Sequence, residues 1–368
     1  MKSTVTGKNC SLQFALSDSK YRLIRYNIYI NDVPLFGAYG KKISGPANPI
    51  TESFLLSQGK NKIEVSCLNE RGTESYRSLI YAASKGEVKR DLYFLAFGVS
   101  KYTDTALNLL YADKDALDLA AAFQSLKGKQ SENVNVRTTV NGQVTRENIR
   151  AARDFVKAAR PDDYFVLFIA GHGLHDNDAE ATYYFLTSNT DLANLKGTAA
   201  DFESIESLLQ EVPPRNKLFL MDACESGERD ETEDFGTISA VPGGINSRGI
   251  QIKARLRALD PEIRRYVYTK DRYIYNDLLR RSGAVVFSSS KGNEFSFEDS
   301  KLENGLFTEA IIAALSDNTT DTDRNGTISM EELRERVAAQ VADMSGGQQH
   351  PVIDRDNIYQ KPAFLIGK

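Results

Sequence analysis

Two short apolar runs that each end at a reactive side chain constrain this chain more than any other feature. Tyr164–Leu174 reads YFVLFIAGHGL and stops at His172, which lies between two glycines. Lys217–Gly227 reads KLFLMDACESG and stops at Cys224. Apolar runs of this length are typical of strands buried on both faces of a parallel sheet. Because chemistry in open α/β sheets gathers at the carboxyl ends of the strands, we expect the thiol and the imidazole to share one edge.

A thiol beside an imidazole is a pairing that acyl-transfer enzymes use. A free thiol, with a pKa of about 8.5, is mostly protonated at neutral pH and needs a base to become a nucleophile. The sequence therefore predicts Cys224 as the nucleophile and His172 as the base that later protonates the leaving amine. The backbone amides of Gly173 and Cys224 are predicted to hold the oxyanion that forms when a carbonyl is attacked.

The composition narrows the class of protein. At 368 residues the chain is long enough for two domains. A net charge of -4 does not favour nucleic-acid binding, which calls for a basic patch, and no apolar run approaches the roughly 20 residues that span a membrane. Three scattered cysteines and an N-terminus without the apolar core of a secretory signal indicate a cytoplasmic, reducing location.

The first 85 residues predict a small all-β domain. Apolar residues alternate along Arg22–Ile30 and again from Ile63 to Cys67, which is the period of a half-buried strand. A third strand is expected at Ser78–Ala82. Short strands separated by Gly, Pro and Asn favour an immunoglobulin-like sandwich. Residues 86–90 are predicted to be a linker, and residues 91–368 a second domain.

The second domain alternates strands and helices, which predicts an α/β fold with a mostly parallel six-stranded sheet flanked by helices. The expected strands are Leu92–Val99, Val134–Val140, Tyr164–Ala170, Lys217–Met221, Ala284–Ser288 and Ala363–Ile366. The expected helices are Asp113–Leu126, Arg146–Ala159 (with Thr145 as N-cap), Phe202–Val212, Leu306–Leu315 and Glu331–Ala342. The long segment 228–281 does not fit the alternation, and we interpret it as an activation or processing loop that arranges or masks the site.

The motifs around His172 and Cys224 match a known sequence pattern. Caspases carry Gln-Ala-Cys-x-Gly with a His about 50 residues upstream. This chain has Asp-Ala-Cys-Glu-Ser-Gly, and His172 precedes Cys224 by about the same distance. From Asp91 to Lys368 the sequence resembles the caspase and metacaspase superfamily of cysteine peptidases, of a bacterial type in which a β-sandwich often precedes the caspase domain. The resemblance implies a caspase-like fold with a Cys224–His172 dyad.

Departures within the motif predict the substrate preference. Caspases have Gln where this chain has Asp222, and positions i and i+2 of a strand face one side, so Asp222 is expected to look into the cleft with Cys224. The resemblance to metacaspases implies Asp115 as a second carboxylate of the pocket. Two carboxylates favour an Arg or Lys side chain. For Ser288 and Ser289, either strand-end hydrogen bonding or, as the resemblance suggests, pairing with the substrate backbone is expected.

The sequence thus predicts a cysteine endopeptidase that cuts protein or peptide substrates after Arg or Lys. We expect a monomer that needs no cofactor for its chemistry and binds neither nucleic acid nor membrane. Self-processing is expected after a basic residue of the 228–281 loop, at one of Arg248, Lys253, Arg255, Arg257, Arg264 or Arg265. The alternative is a regulatory or scaffold module that binds protein partners without cutting them.

One further motif has the spacing of a calcium loop. Asp321–Glu332 reads DTDRNGTISMEE, with oxygen-bearing side chains at the spacing of the twelve-residue EF-hand. The predicted ligands are Asp321, Asp323, Asn325, Thr327 and Glu332. The alternative is a polar connection between two helices that holds no metal.

Overall fold

The structure is a computed structural model. It describes residues 1–44, 49–86, 89–129, 131–176, 182–223, 245–248, 278, 281–291, 294–353 and 366–367. Cys224 and most of the 228–281 loop lie outside the described residues, and so do five of the six basic residues predicted as self-processing sites. Arg248 is the one that the structure describes.

Antiparallel strands build the N-terminal region. They are β1 Lys2–Thr6, β2 Asn9–Phe14, β3 Leu23–Ile30, β4 Val33–Pro34, β5 Lys41–Lys42, β6 Ile50–Leu55, β7 Gly59–Asn69 and β8 Ser78–Ser84. One sheet has the order β1-β2-β6, and the other has the order β4-β3-β7-β8 with β5 beside β3. Alternate residues of β2 are buried, and residues such as Leu12, Ile28 and Ile63 share one apolar core. The predicted strands at Ile63–Cys67 and Ser78–Ala82 lie within β7 and β8, and the one predicted at Arg22–Ile30 begins one residue before β3.

The second half of the chain is built on a larger sheet. Its strands and those of the small sheets around it are β9 Leu92–Gly98, β10 Val134–Val140, β11 Tyr164–Gly171, β12 Gly173–His175, β13 Tyr183–Phe185, β14 Ala200–Asp201, β15 Asn216–Ala223, β16 Ile245–Ser247, β17 Ala284–Ser288, β18 Phe297–Asp299, β19 Asn304–Gly305, β20 Thr327–Ile328, β21 Val352–Ile353 and β22 Ile366–Gly367. Six of them form one sheet in the order β10-β9-β11-β15-β17-β21. All neighbours in this sheet are parallel except β17 and β21. The predicted mostly parallel six-stranded sheet is confirmed.

Helices cover both faces of this sheet. They are α1 Ala112–Gln124, α2 Arg146–Ala151, α3 Leu195–Thr198, α4 Phe202–Glu206, α5 Leu306–Ser316 and α6 Met330–Met344, with 3-10 turns at Thr105–Leu107, Asn141–Gln143, Ala152–Val156 and Asn318–Thr320. Every residue of β9 and β11 is buried, because one apolar cluster packs on each face of the sheet. Among the described residues, no helix is both long enough and apolar enough to cross a bilayer.

Three sequence predictions about elements were wrong in detail. The sixth strand of the main sheet is β21. Of the predicted strand Ala363–Ile366, residues 363–365 lie outside the described residues, and Ile366 pairs with Ile328 in a separate ladder. The helix predicted to follow Thr145 tightens into a 3-10 turn after Ala151, although Thr145 does cap it. The helix predicted over Phe202–Val212 ends at Glu206. Short elements of this kind are decided by packing more than by local propensity.

The sandwich contacts the amino ends of the main strands. Asp162, which precedes β11, accepts hydrogen bonds from the Lys8 ammonium at 3.0 Å and from the Gln58 amide at 2.9 Å. Arg215, which precedes β15, donates to the Ser57 hydroxyl at 2.8 Å and to the Leu55 carbonyl. These contacts lie at the edge opposite the carboxyl ends of β11 and β15.

Candidate active site

His172 lies at the carboxyl end of the central strand β11, as the sequence predicts. The parallel register pairs Gly171 of β11 with Ala223 of β15. His172 directly follows Gly171, and Cys224, which lies outside the described residues, directly follows Ala223 in the sequence. Gly171 has a φ of 151°, and a Cβ there would lie 3.0 Å from the Tyr102 hydroxyl, so glycine is required where the strand turns into the site.

Hydrogen bonds fix the orientation and tautomer of the His172 ring. Nε2 lies 2.8 Å from the Leu107 carbonyl oxygen, which can only accept, so Nε2 carries the proton. The His172 backbone amide donates to the Tyr102 hydroxyl at 3.1 Å. Nδ1 is buried and has no hydrogen-bond partner among the described residues. Burial lowers the pKa of His172 to about 4, so the ring is neutral at pH 7 and Nδ1 is a free base.

Three buried carboxylates converge close to this histidine. Asp115 comes from the first turn of α1, Asp222 from the end of β15, and Glu298 from β18. Their side chains are no more than 2% exposed. Parallel-strand topology brings the end of β15 to the sheet edge that also carries His172, and the α1 N-terminus favours a negative charge there. The two carboxylates that the sequence predicts for one pocket therefore do lie together.

The guanidinium of Arg248 fills the space between the carboxylates. Its Nη1 donates to Asp222 at 2.8 Å, its Nε donates to Glu298 at 3.1 Å, and its Nη2 donates to Asp115. The Arg248 side chain is 0% exposed. Burial lowers its pKa and the three carboxylates raise it, and the carboxylates prevail, so that the pKa lies well above the ordinary value. The pocket thus holds a permanently charged arginine by three charge-assisted hydrogen bonds.

Backbone amides hold the carboxylates of Asp115 and Glu298 in place independently of Arg248. The Gly305 amide donates to Asp115 Oδ1 at 2.8 Å. The amides of Leu110 and Tyr111 each donate to Glu298 at 2.9 Å. A Cβ added at Gly305 would lie 2.6 Å from Nη2 of Arg248, so glycine is needed there for the guanidinium to fit.

Among the described residues, the pocket holds more carboxylates than cations. Burial raises the pKa of the Asp115 carboxyl to about 7, and the neighbouring Asp222 charge adds to this, whereas the Arg248 guanidinium lowers it. Three carboxylates around one guanidinium leave a surplus of negative charge in a desolvated place, which favours retention of a proton by one of them.

A short strand carries Arg248 into the site. β16, which is Ile245–Ser247, pairs antiparallel with β18, and Asn246 lies opposite Glu298. The Arg248 amide then donates to the Ser296 carbonyl at 2.8 Å. Ile245 packs partly buried against the main apolar core. This is the arrangement of an extended peptide added to a sheet edge, with its last side chain in a pocket.

The other predicted cleft residues that the structure describes lie near the pocket but do not bond the Arg248 guanidinium. Ser289 is fully buried, and its hydroxyl bonds that of Ser296, whose carbonyl meets the Arg248 amide. Ser288 is also buried, and its hydroxyl donates to the Ser290 carbonyl at 3.0 Å. Gly173 follows His172 and begins β12. The two serines therefore support the cleft wall, while Ser296 bonds the segment itself.

Sequence reasoning missed two residues that the structure brings to the site. Glu298 lies in the run FSFED, where no strand was predicted, so its side chain could not be assigned to a face. Leu107 acts through its carbonyl oxygen, and a backbone acceptor leaves no trace in residue type. The acidic residue type of Glu298 was the only signal available for either residue.

The predicted calcium loop brings three of its carboxylates together. Asp321, Asp323 and Glu332 each have an oxygen within 4.8 Å of the other two. Both oxygens of Glu332 are engaged, because Oε1 accepts from the Thr322 amide at 2.7 Å and Oε2 accepts from the Ser329 amide at 2.8 Å. These bonds and a capping box at Ser329 lower the pKa of Glu332 to about 2, against the effect of burial. The donor set fits calcium, but the loop already uses Glu332 to cap α6.

Two solved structures and one family profile are similar to parts of this chain. Among solved structures, protein GSU0716 from Geobacter sulfurreducens is 16% identical, with a TM-score of 0.44 over 72% of this chain and 92% of that one. Caspase-1 from Spodoptera frugiperda is 14% identical, with a TM-score of 0.42 over 72% of this chain and 88% of that one. No curated protein sequence matches the chain. The profile of the caspase domain matches residues 93–361, which is most of the chain, and the protein therefore belongs to the caspase domain family.

Proposed function

We propose that the protein is a cysteine endopeptidase that cleaves after arginine or lysine through Cys224 and His172. The observation that carries the proposal is Arg248, whose guanidinium is buried among Asp115, Asp222 and Glu298 beside His172. A pocket that binds three sides of a guanidinium selects a cationic side chain next to the reacting carbonyl. An aspartate in the same place would meet only like charges.

The proposed chemistry follows from the state of the imidazole. Neutral His172 takes the thiol proton of Cys224 on Nδ1, and the sulfur attacks the carbonyl carbon that follows the bound basic side chain. The Leu107 carbonyl keeps the second proton on Nε2 and so keeps Nδ1 available. The protonated ring then gives its proton to the leaving amine, and water hydrolyses the thioester. The amides of Gly173 and Cys224 are the proposed donors to the oxyanion.

Three fluorogenic peptides test this function. We expect hydrolysis of a peptide that ends in Arg before the reporter, slower hydrolysis of the Lys peptide, and none of the Asp peptide. The Cys224→Ala and His172→Ala variants should each lose the activity, because a dyad acts as a unit. Turnover of the Asp peptide, or equal turnover by Cys224→Ala, would contradict the proposal. A chain that binds Arg peptides without ever cutting them would support the scaffold alternative.

Self-cleavage within the 228–281 loop is part of the same proposal. The loop contains several basic residues, and the structure describes one of them, Arg248, in the acidic pocket. Wild-type chain incubated alone should yield two fragments on a denaturing gel, while Cys224→Ala chain should stay intact. Equal fragmentation of both chains would attribute the cutting to a contaminating peptidase.

The Asp321–Glu332 loop is a second candidate site, for calcium. The clustered carboxylates of Asp321, Asp323 and Glu332 favour it. The Asp321 carboxylate also accepts from the Asn325 and Gly326 amides at 3.1 and 3.0 Å, which folds the loop around the cluster. In this proposal calcium stabilises the turn between α5 and α6 and takes no part in the chemistry at His172.

A further inference from the structure

The contacts of Ile245–Arg248 resemble those of an extended peptide bound at a sheet edge. The segment is extended, pairs antiparallel with β18, and ends with a fully buried side chain in the acidic pocket. We propose that Ile245–Arg248 is the first substrate of this protein, that it keeps the uncut chain latent by filling its own cleft, and that the cut falls between Arg248 and Gly249. This inference rests on the proposed peptidase function and adds to it the site of cutting and the means of regulation.

The position of the Arg248 backbone supports cutting at this bond. The Arg248 backbone lies close enough to the His172 ring to raise the pKa of the imidazole, although burial is the larger effect and lowers it. The Arg248 amide is held by Ser296, which fixes the direction of the peptide at this residue. The carbonyl that follows the pocket-bound side chain is that of Arg248, and it is the carbonyl of the Arg248–Gly249 bond.

Tethering makes the segment a strong competitor for the pocket. A segment that belongs to the same chain as its pocket has an effective concentration on the order of millimolar. A free peptide at micromolar concentration must displace it and must also replace three buried charge-assisted hydrogen bonds. The uncut chain is therefore expected to hydrolyse added peptides slowly.

The cutting step balances as an ordinary acyl transfer. The Cys224 sulfur forms a bond to the Arg248 carbonyl carbon, and the Arg248–Gly249 amide bond breaks. The Gly249 nitrogen leaves as an amine with the proton that His172 had taken from the thiol. Water then adds to the thioester, which leaves an Arg248 carboxylate and restores the thiol. The segment is then joined to the chain through its amino end alone, so it loses one of its two covalent connections and competes less well for the pocket.

The segment also gives the expected recognition sequence, Ile-Asn-Ser-Arg. The Ile245 side chain packs against the apolar core, the Asn246 side chain is exposed, and the Arg248 side chain is buried. A good substrate should therefore have an aliphatic residue three positions before the arginine, with little selection at the position occupied by Asn246.

The first experiment locates the cut. Wild-type, Arg248→Ala and Arg264→Ala chains are incubated and their fragments identified by intact-mass spectrometry and N-terminal sequencing. We expect wild type and Arg264→Ala to give a new N-terminus that reads Gly-Ile-Gln, and Arg248→Ala to give no such fragment. A cut at another basic residue in wild-type chain, or the same cut in Arg248→Ala, would overturn the inference.

The second experiment tests latency by binding, without any cutting. A fluorescent Ile-Asn-Ser-Arg peptide is titrated against full-length Cys224→Ala and Cys224→Ala/Arg248→Ala chains, with thermal melting to show that both are folded. Peptide binding at least about 10-fold tighter to the double variant supports the inference, because its pocket has lost the tethered competitor. Equal binding to the two chains would overturn it.

The two proposals fail in different ways. Activity assays of freshly purified uncut chains should show a lag for wild type and none for Arg248→Ala. If both hydrolyse the Arg peptide at once and at the same rate, the peptidase function holds and the latency inference fails. If no chain, cut or uncut, hydrolyses it, the peptidase function fails and the inference fails with it. Arg248→Lys serves as a second variant that keeps a cation in the pocket, and we expect it to retain the lag.

Discussion

Two groups of three carboxylates in this protein differ in the partners that satisfy their charges. Asp115, Asp222 and Glu298 are fully buried and converge on a guanidinium from another part of the chain. In the loop 321–332 the acidic groups are held by amides and hydroxyls of the same loop, and Asp323 is exposed. The first group needs a cation from elsewhere, whereas the second is largely satisfied by its own turn.

The difference shows what makes an acidic cluster a recognition site. In the pocket, Asp222 Oδ1 is buried with no hydrogen-bond partner among the described residues, and burial raises the pKa of Asp115. In the loop, hydrogen bonds lower the pKa of Glu332 to about 2 despite burial. Desolvated carboxylates with unspent acceptor capacity favour a cationic partner, while carboxylates already bonded to amides gain less from one.

Removal of the Asp222 charge is expected to have the largest effect. Asp222→Asn keeps the shape of the side chain but loses a buried ionic hydrogen bond, which costs about 3 kcal/mol and corresponds to a roughly 100-fold fall in kcat/KM for an Arg peptide. Self-cleavage should slow in parallel. Steady-state kinetics and a gel time course measure the two effects.

Asp118→Asn is the matched control for this change. Asp118 is an acidic residue of α1 that pairs with Lys114 at 2.6 Å, but both side chains are 38% exposed. Exposed pairs contribute about 0–1 kcal/mol, so kcat/KM should stay within about twofold of wild type. An equal loss in Asp118→Asn and Asp222→Asn would mean that general acidity, and not the pocket, recognises the substrate.

Closing the space beside the guanidinium is expected to have the next largest effect. Gly305 has φ -66° and ψ 143°, which alanine adopts without strain, but the added methyl group would lie 2.6 Å from Nη2 of Arg248. Overpacking of this kind costs about 1–3 kcal/mol, which predicts a roughly 10- to 100-fold loss in kcat/KM for the Arg peptide. A Lys peptide should lose less, because its side chain ends where the arginine fork begins.

Gly142→Ala is the control for the glycine change, because no atom lies within 4 Å of the position of its Cβ. Its kinetics should equal those of wild type. If Gly305→Ala kept wild-type kcat/KM for Arg and Lys peptides alike, the substrate would not occupy the place where Arg248 lies.

The sequence predicted the site residues that lie at the ends of parallel strands. It did not predict the site residues whose position depends on how the chain runs between those strands. Asp222 and His172 end buried apolar runs, so parallel topology brings them to one edge. Asp115 was reached through a family resemblance, because periodicity alone cannot aim a helix residue at a distant strand. Glu298 was missed because β18 is only three residues long and pairs with β16, which is equally short.

The last strand of the sheet shows the same limit. An apolar run at Ala363–Ile366 predicts a strand by composition, and Val352–Ile353 is too short to be recognised by any period. It joins the sheet as an antiparallel edge strand because the chain passes β17 there. Tertiary contact, and not local pattern, decides which of two short segments completes a sheet.

Lowering the pH is expected to weaken the binding of an Arg side chain in the pocket, by less than the substitutions at Asp222 and Gly305 do. Burial raises the pKa of Asp115 to about 7, so its carboxyl gains a proton and loses its charge as the pH falls from 8 to 6, beside Asp222, Glu298 and the bound guanidinium. An ionic hydrogen bond exceeds a neutral one by about 1 kcal/mol, which predicts a fall of roughly fivefold in kcat/KM for an Arg peptide. His172 stays neutral over this range because burial lowers its pKa to about 4.

The pH profile of Asp115→Asn separates the pocket from the imidazole. This variant cannot titrate at that position, so its kcat/KM should be lower than that of wild type but flat between pH 6 and 8. The same decline in both chains would assign the acid limb to another group and remove Asp115 from the account of pH dependence.

Calcium is expected to have the smallest effect, because the loop 321–332 is already closed by its own hydrogen bonds. Glu332 accepts five of them, two from Thr322, one from Asp323 and two from Ser329, and an incoming ion must replace several. We therefore expect a dissociation constant of about 10⁻⁴–10⁻³ M by calorimetry, and a gain of about 1 kcal/mol in the free energy of unfolding at millimolar calcium.

Asp321→Asn should abolish both effects and leave peptide hydrolysis unchanged. Absence of heat and of stabilisation at about 10 mM calcium, well above that range, would show that the hydrogen-bonded turn is the final state of these carboxylates. A micromolar dissociation constant for calcium would mean instead that the hydrogen bonds within the loop are easily replaced. The loop and the arginine pocket would then differ only in which cation they bind.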